Sequence, residues 1–404
     1  MTPFSYRCTD CGRTYARDAV RYLCSVCGEA YRPGIPLLGV LEAVFDYEAI
    51  HRDFDRANPD WNLFCPVEPE FHPPIPVGNT PLGRVDRLGA ELGLSSLWVK
   101  NDGLNPSGSL KDRASFLVVA EARRLGMELI VAASTGNAAS ALAAVCASTS
   151  TRALIFVPEK APKAKLVQMV LYGAQVVPIQ GTYDDAFALS LEYTAKRGGL
   201  NRNTAYHPLT IEGKKTVSLE IWAQLGFQVP EAILVSVGDG VILGGVHKGF
   251  VDLQRAGLID RLPRLIGVQA ETSDAIHRYV ESGVYSDATN PTTRADSISV
   301  TCPSNAHGAR RAIEESQGLT LTVTDEEILE AQAQLAGRTG IFTEPAGATA
   351  MAGLTKLQGG PNRITGSGPV VILATGHGLK DVEAPLSRIS IPLAVPPVLE
   401  ALTL

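Results

Sequence analysis

From residue 129 onward, short apolar runs alternate with longer stretches of helical character, and no other feature constrains the fold so tightly. Runs at 129–133, 152–157, 175–179, 232–237, 264–269 and 370–374 read as strands. Helices are expected between them over 138–147, 163–172, 183–196, 215–225 and 246–256. Strands that are apolar on both faces and separated by helices build parallel sheets covered on each side. The 404 residues, 45% hydrophobic, hold enough apolar material for two or three such units. This is an α/β chain. Ligands of such sheets sit outside the carboxyl ends of the strands, so those loops are where chemistry is sought first.

One informative loop precedes this region. Asn105-Pro-Ser-Gly-Ser-Leu-Lys111-Asp-Arg113 sets turn-forming residues directly against a single lysine, with a helix expected over 114–125. Pro106 and Gly108 keep the approach non-helical, and Ser107 or Ser109 is the expected cap. Such a turn places an amine at a defined point, as condensation with a carbonyl cofactor requires. The alternative is a surface lysine behind a flexible loop. Three further loops follow strands. Ser134-Thr135-Gly136-Asn137-Ala138 suits a carboxylate through its N–H groups and hydroxyls, or is an ordinary helix cap. Gly238-Asp239-Gly240-Val241-Ile242 lets amides converge on a phosphate at a helix N-terminus. Its spacing is not that of a dinucleotide fingerprint, and Asp239 suits a phosphate only with its carboxylate turned away. Thr375-Gly-His-Gly-Leu-Lys-Asp381 follows the last strand and offers a hydroxyl.

Taken together, these four loops resemble fold-type II pyridoxal-phosphate enzymes, and their order and spacing are most similar to the threonine synthases. Glu212-Gly-Lys-Lys-Thr216 and Glu344-Pro-Ala-Gly-Ala348 extend the resemblance, which covers about 75–385. It implies two open twisted-sheet domains facing each other across the cofactor, commonly in a homodimer. It implies that Lys111 holds pyridoxal 5′-phosphate and moves protons, while Asn137 meets the ring hydroxyl oxygen. Gly238, Asp239, Gly240, Val241 and Ile242 would cradle the cofactor phosphate. Thr375 would face the ring nitrogen, and Ser134, Thr135 and Ala138 would line the amino-acid carboxylate pocket. The implied reaction converts O-phospho-L-homoserine and water to threonine and phosphate. Members of the family often place an arginine before Glu-Gly-x-Lys-Thr to grip the substrate phosphate; here Thr210 stands there. Lys214 and Lys215 are the candidate substitutes, although a lysine lacks the bidentate fork of arginine. Relatives acting on O-phosphoserine, serine or threonine remain the alternative, as does a non-catalytic effector-binding protein on the same fold.

The N-terminus carries a separate signal. Cys8-x-x-Cys11 and Cys24-x-x-Cys27 lie twelve residues apart, each pair followed by glycine. Two such knuckles complete a tetrahedral zinc site with no open position, hence a structural metal; redox use is the alternative. The expected organisation is a zinc-ribbon-like module over 1–34, a proline-rich connector over 35–81, and a catalytic region over 82–385. A smaller domain at about 110–205 is inserted in that region, and a tail follows over 386–404. A net charge of −6 offers no electrostatic attraction to nucleic acid or to an anionic membrane. The small-residue run over 130–147 is broken by Ser134, Thr135, Asn137 and Ser140, so it is not a membrane span. Without a signal-like N-terminus, and with its cysteines paired for metal, the chain is expected to be cytoplasmic.

Overall fold

A computed structural model describes residues 2–159, 161, 163–386, 389 and 394–398. The chain opens on an antiparallel sheet in which β1 (Phe4–Cys8) lies between β2 (Thr14–Tyr15) and β3 (Leu41–Phe45). β3 falls within the stretch expected as a connector, yet it pairs with β1 from Phe4 opposite Phe45 to Cys8 opposite Leu41. Glu42 interrupts its apolar pattern and is nonetheless buried, because Arg7 Nε donates to its carboxylate at 3.0 Å. A short helix, α1 (Tyr47–Asp53), follows within the same stretch. Asp46 sets its start by accepting the Ala49 N–H at 3.0 Å.

Past the proline-rich strip come β4 (Leu82–Arg84), α2 (Asp86–Glu91) and β5 (Leu97–Asn101), then α3 (Lys111–Arg124). A four-stranded parallel sheet follows. Its elements in chain order are β6 (Leu129–Ala133), α4 (Asn137–Ala147), β7 (Arg152–Pro158), α5 (Lys163–Leu171), β8 (Gln175–Ile179), α6 (Tyr183–Arg197) and β9 (Leu200–Asn201). The strand order is β8-β7-β6-β9. Alternation across the pleat explains why both faces are apolar. Ile130, Ala132, Ile155 and Val157 pack with α3 and α4, while Val131, Ala133, Leu154 and Phe156 pack with Ala186 of α6.

The chain then returns to the sheet begun by β4 and β5. The elements are α7 (Leu209–Gln224), β10 (Ala232–Ser236), α8 (Val241–Arg255), β11 (Arg264–Ala270), α9 (Ala275–Ser282), α10 (Ala306–Glu315), β12 (Leu319–Val323), α11 (Asp325–Thr339), α12 (Pro345–Gln358), β13 (Val370–Ala374) and α13 (Glu383–Leu386). The larger sheet runs β12-β11-β10-β13-β5-β4, parallel except for β4 against β5. One face packs on α8 and α10, the other on α11 and α12. All the loops singled out above except the 105–110 approach lie at strand carboxyl ends.

α7 and α8 begin several residues before their expected starts. Glycines weaken a helical reading, but here they permit close packing: a Cβ on Gly213 would lie 2.2 Å from the Arg113 carbonyl oxygen. α7 therefore presses its first turns against the start of α3. Of the tail expected over 386–404, residues 387–388, 390–393 and 399–404 lie outside the described residues. Among the described residues no helix is long and apolar enough to cross a membrane.

Candidate active site

Lys111 is the first residue of α3, not the residue before the helix. No serine caps it. The Leu110 N–H donates to the Thr375 carbonyl at 2.9 Å, and the Asp112 N–H donates to the Ser109 carbonyl at 3.2 Å. Ser107 instead gives its N–H and its hydroxyl to the Asp112 carboxylate at 2.7 and 2.5 Å. Burial pushes the Asp112 carboxyl up to about 6 against those bonds. Arg113 anchors the turn from below. Its guanidinium is held by Asp102 at 2.6 and 2.9 Å and by Glu220 at 2.5 and 2.8 Å, with Lys100 closing on Glu220 at 2.6 Å. Such a buried, multiply bonded arginine fixes the helix start by geometry as well as charge.

The Lys111 amine has no hydrogen-bond partner among the described residues. Burial lowers its proton affinity and Arg202 adds to that, while Glu344 and Asp239 pull the other way. The surrounding loops are stitched together: Ser109 bridges Gly376, and Thr343 bridges His377. Thr375 is consequently buried close to Lys111. Asn137, the first residue of α4, donates its side-chain N–H to Glu344 at 2.7 Å across the space between the two sheets. Ser134 accepts the Gly136 N–H at 3.2 Å, and Ser134, Thr135 and Ala138 line the same turn, half-buried. A cavity of about 270 Å³ opens beside them, lined among others by Asn137, Ser140, Ser297, Glu344 and Lys380. Glu344 makes no capping bond, and its buried carboxyl is raised by desolvation despite Lys111, Lys380 and Asn137.

Gly240 has φ +81°, which a side chain rarely adopts, and opens α8. Asp239 turns its carboxylate back along the loop to accept the Val241 N–H at 3.0 Å. The remaining first-turn N–H groups, including that of Ile242, lack intrahelical partners by position.

The two adjacent lysines of α7 divide. Lys215 donates to Asp252 at 2.8 Å, pairs with Glu212, and sits 4.2 Å over the Phe45 ring. Glu212 in turn accepts the Ala43 N–H of β3 at 3.0 Å. Lys215 is thereby committed to docking the N-terminal sheet, which corrects its assignment as a substrate residue. Lys214 points elsewhere, buried and without a side-chain hydrogen bond or ion pair among the described residues; burial lowers it to about 7. Thr210 is spoken for, its hydroxyl bonded to the Thr204 and His207 carbonyls. Arg202, which sequence reasoning missed, is 3% exposed; its Nε donates to Ser115 at 3.2 Å and its Nη2 has no partner. Only its unpaired state marks it, and no sequence motif carries that.

In the N-terminal module the sulfurs of Cys8, Cys11, Cys24 and Cys27 all lie within 4.8 Å of one another. The Gly12 and Gly28 N–H groups close each turn on the Cys8 and Cys24 carbonyls at 3.0 and 2.8 Å. The Cys11–Cys24 sulfur separation is 3.8 Å. Tetrahedral bonds of about 2.3 Å require S···S distances of about 3.8 Å.

The family model of pyridoxal-phosphate dependent enzymes matches residues 75–376. The threonine synthase of Methanocaldococcus jannaschii is 37% identical over 96% of each chain. That of Methanosarcina acetivorans is 36% identical over 99% of this chain and 98% of its own. Among solved structures, threonine deaminase isoform 2 of Solanum lycopersicum superposes with a TM-score of 0.66 at 23% identity. It covers 76% of this chain and 86% of its own, and at that identity it bears on the fold alone.

Proposed function

Because this chain belongs to the pyridoxal-phosphate dependent enzymes, with threonine synthases as relatives along its whole length, we propose that it converts O-phospho-L-homoserine and water to L-threonine and phosphate. It is a pyridoxal-phosphate-dependent lyase of threonine-synthase type. The observation that carries the substrate reading to these residues is the unpartnered Lys111 amine beside the stitched loops, under the influence of Glu344, which with Asn137 lines the cavity.

The donor set fits the cofactor. Beside the free amine, the Ser109 hydroxyl is buried with no partner, and the first turn of α8 offers unpaired amides. Lys111 would hold the carbonyl carbon, Asn137 the ring hydroxyl oxygen, Thr375 the ring nitrogen, and 238–242 the phosphate. Bound there, pyridoxal phosphate supplies an electron sink for negative charge developing on the substrate carbons. Lys111 Nζ, released by substrate, takes the proton from Cα. Its lowered proton affinity keeps a larger share neutral and able to do so. Glu344 holds Asn137 in place and limits how far the lysine's affinity falls. Thr375 brings a neutral hydroxyl, which does not keep a ring nitrogen protonated; the resulting milder sink suits elimination and replacement. Ser134, Thr135 and Ala138 would receive the amino-acid carboxylate. Lys380 Nζ donates to Ser140 at 2.9 Å, Gln168 at 2.6 Å and the Ser107 carbonyl at 3.0 Å. It thus ties α4 and α5 to the lysine loop, and closure there would keep water out until it is needed.

Three expectations complete the proposal. The four cysteines hold a structural zinc, with one zinc per chain in elemental analysis as the test. The inserted sheet moves as a smaller domain. The protein is a cytoplasmic homodimer, and a monomeric mass in light scattering would count against that pairing. The reaction itself is tested by incubating loaded protein with O-phospho-L-homoserine. Equal amounts of phosphate and threonine are expected, and none from Lys111→Ala. A normal cofactor spectrum without turnover would move the search to O-phosphoserine, serine and threonine.

A further inference from the structure

We propose that Arg202 and Lys214 form a second anion site beside the cofactor's own, which grips the phosphate group of the substrate. The inference deepens the threonine synthase reading and rests on it for the identity of the substrate. Three elements bring the two cations together. Arg202 follows β9; its N–H donates to the Val131 carbonyl at 2.9 Å, and its Nε reaches Ser115. Ser115 lies one helical turn beyond Lys111 on the same face of α3, so the guanidinium lies over the reactive amine's own helix face. Lys214 follows Gly213, whose contact with Arg113 presses α7 on the α3 start. A Cβ on Gly245 would lie 2.7 Å from Lys214 Cβ, which wedges the lysine between the first turns of α7 and α8. The pair therefore lies between the cofactor lysine and the cofactor phosphate loop.

Charge accounting points to a ligand. Lys111, Lys214 and Arg202 are mutually close enough to repel, and the carboxylates that face them are Asp239 and Glu344, with Asp112 and the Tyr183 hydroxyl farther along the arginine's side. Glu344 is engaged by Asn137, Asp112 by Ser107, and Asp239 by its own loop. Burial lowers both cations, Arg202 to about 10. An arginine Nη2 with no partner and a lysine with none are costly in a buried place. A phosphate monoester dianion relieves both, taking a fork from arginine and a point charge from lysine. Thr210, in the position where relatives keep arginine, has no free hydrogen to give. Arg202 brings a buried guanidinium toward Lys111 from the preceding strand instead.

The test uses cofactor-loaded protein and the variants Arg202→Gln and Lys214→Gln, with Arg202→Lys as the conservative partner. Inorganic phosphate is titrated calorimetrically, and kcat/KM is measured for O-phospho-L-homoserine. Each Gln variant should weaken phosphate binding and kcat/KM about 10- to 100-fold, the scale of a charge-assisted bond, with partial rescue by Arg202→Lys. Cofactor content, and the absorbance change on adding phosphate-free L-threonine, should persist. Unchanged phosphate affinity overturns the site. So does loss of cofactor, which would assign the cations to the cofactor phosphate, or equal loss of the threonine response, which would make them structural. Phosphate binding that depends on both residues, without turnover of O-phospho-L-homoserine, leaves this site standing and removes the threonine synthase reading.

Discussion

Lys214 and Lys215 are neighbours on one helix and belong to opposite kinds of charge cluster. Lys215 faces the N-terminal sheet in a closed quartet with Glu212, Lys248 and Asp252, where Tyr47 also donates to Asp252 at 2.6 Å. Every charge there has a partner of opposite sign. Lys214 faces the cleft with Arg202 and Lys111, and the carboxylates around them are occupied elsewhere. Successive residues on a helix point about 100° apart, so two adjacent lysines can serve two environments. The comparison teaches that burial alone does not identify a functional cation. Completeness of pairing does.

Breaking the closed cluster should show the largest effect on stability. Lys215→Met removes one partner and leaves Glu212 and Asp252 to share Lys248 alone, with an expected loss of about 3–5 kcal/mol in denaturant unfolding. A change below about 1 kcal/mol would mean that the quartet holds nothing in place. The Arg113–Glu220 anchor sharpens the contrast through pH. Arg113 and Lys100 hold the Glu220 carboxyl down to about 2 against burial, from its ordinary value of 4.5. A depressed carboxyl contributes stability that is complete above its unfolded value and is lost as pH falls from about 4.5 toward 2. The shift is worth of order 3 kcal/mol. Glu220→Gln should flatten that part of the acid unfolding curve, and an unaltered curve would rule out the anchor as its source. The open cluster should show no loss at all. Lys214→Met orphans no partner and removes a buried, unpaired amine, so the variant should be at least as stable as the parent at neutral pH. Lys214 has its folded value lowered to about 7, so the native protein gains stability as pH rises from 7 toward the unfolded value of 10.5. The variant should show a shallower rise; an identical slope would place the lysine in water.

The parallel sheets, the cysteine knuckles and the position of Lys111 were legible because each depends on local pattern. Apolar runs of five residues, paired thiols and a turn packed against one lysine keep their meaning without a neighbour. β3 was not legible, since Glu42 breaks its pattern and cations distant in the chain, Arg7 and Arg255, make its burial tolerable. The serine cap was misread because a carbonyl of a distant loop, that of Thr375, holds the start of α3. Arg202 had no motif at all. Its role emerges from what it lacks, and an unsatisfied Nη2 is a property of packing that no run of residues encodes. Lys214 and Lys215 were taken as equivalent because the surface flanking each side of α7 is set by elements far away in the chain.

The central claim is that the cofactor belongs to Lys111 and leaves Lys214 free for an anion, although both are amines of lowered proton affinity, the first half-buried and the second buried. Borohydride reduction of the loaded protein, followed by peptide mass mapping, tests this directly. The account predicts the fixed cofactor on Lys111 alone. Label on Lys214, or none on either lysine, would contradict it.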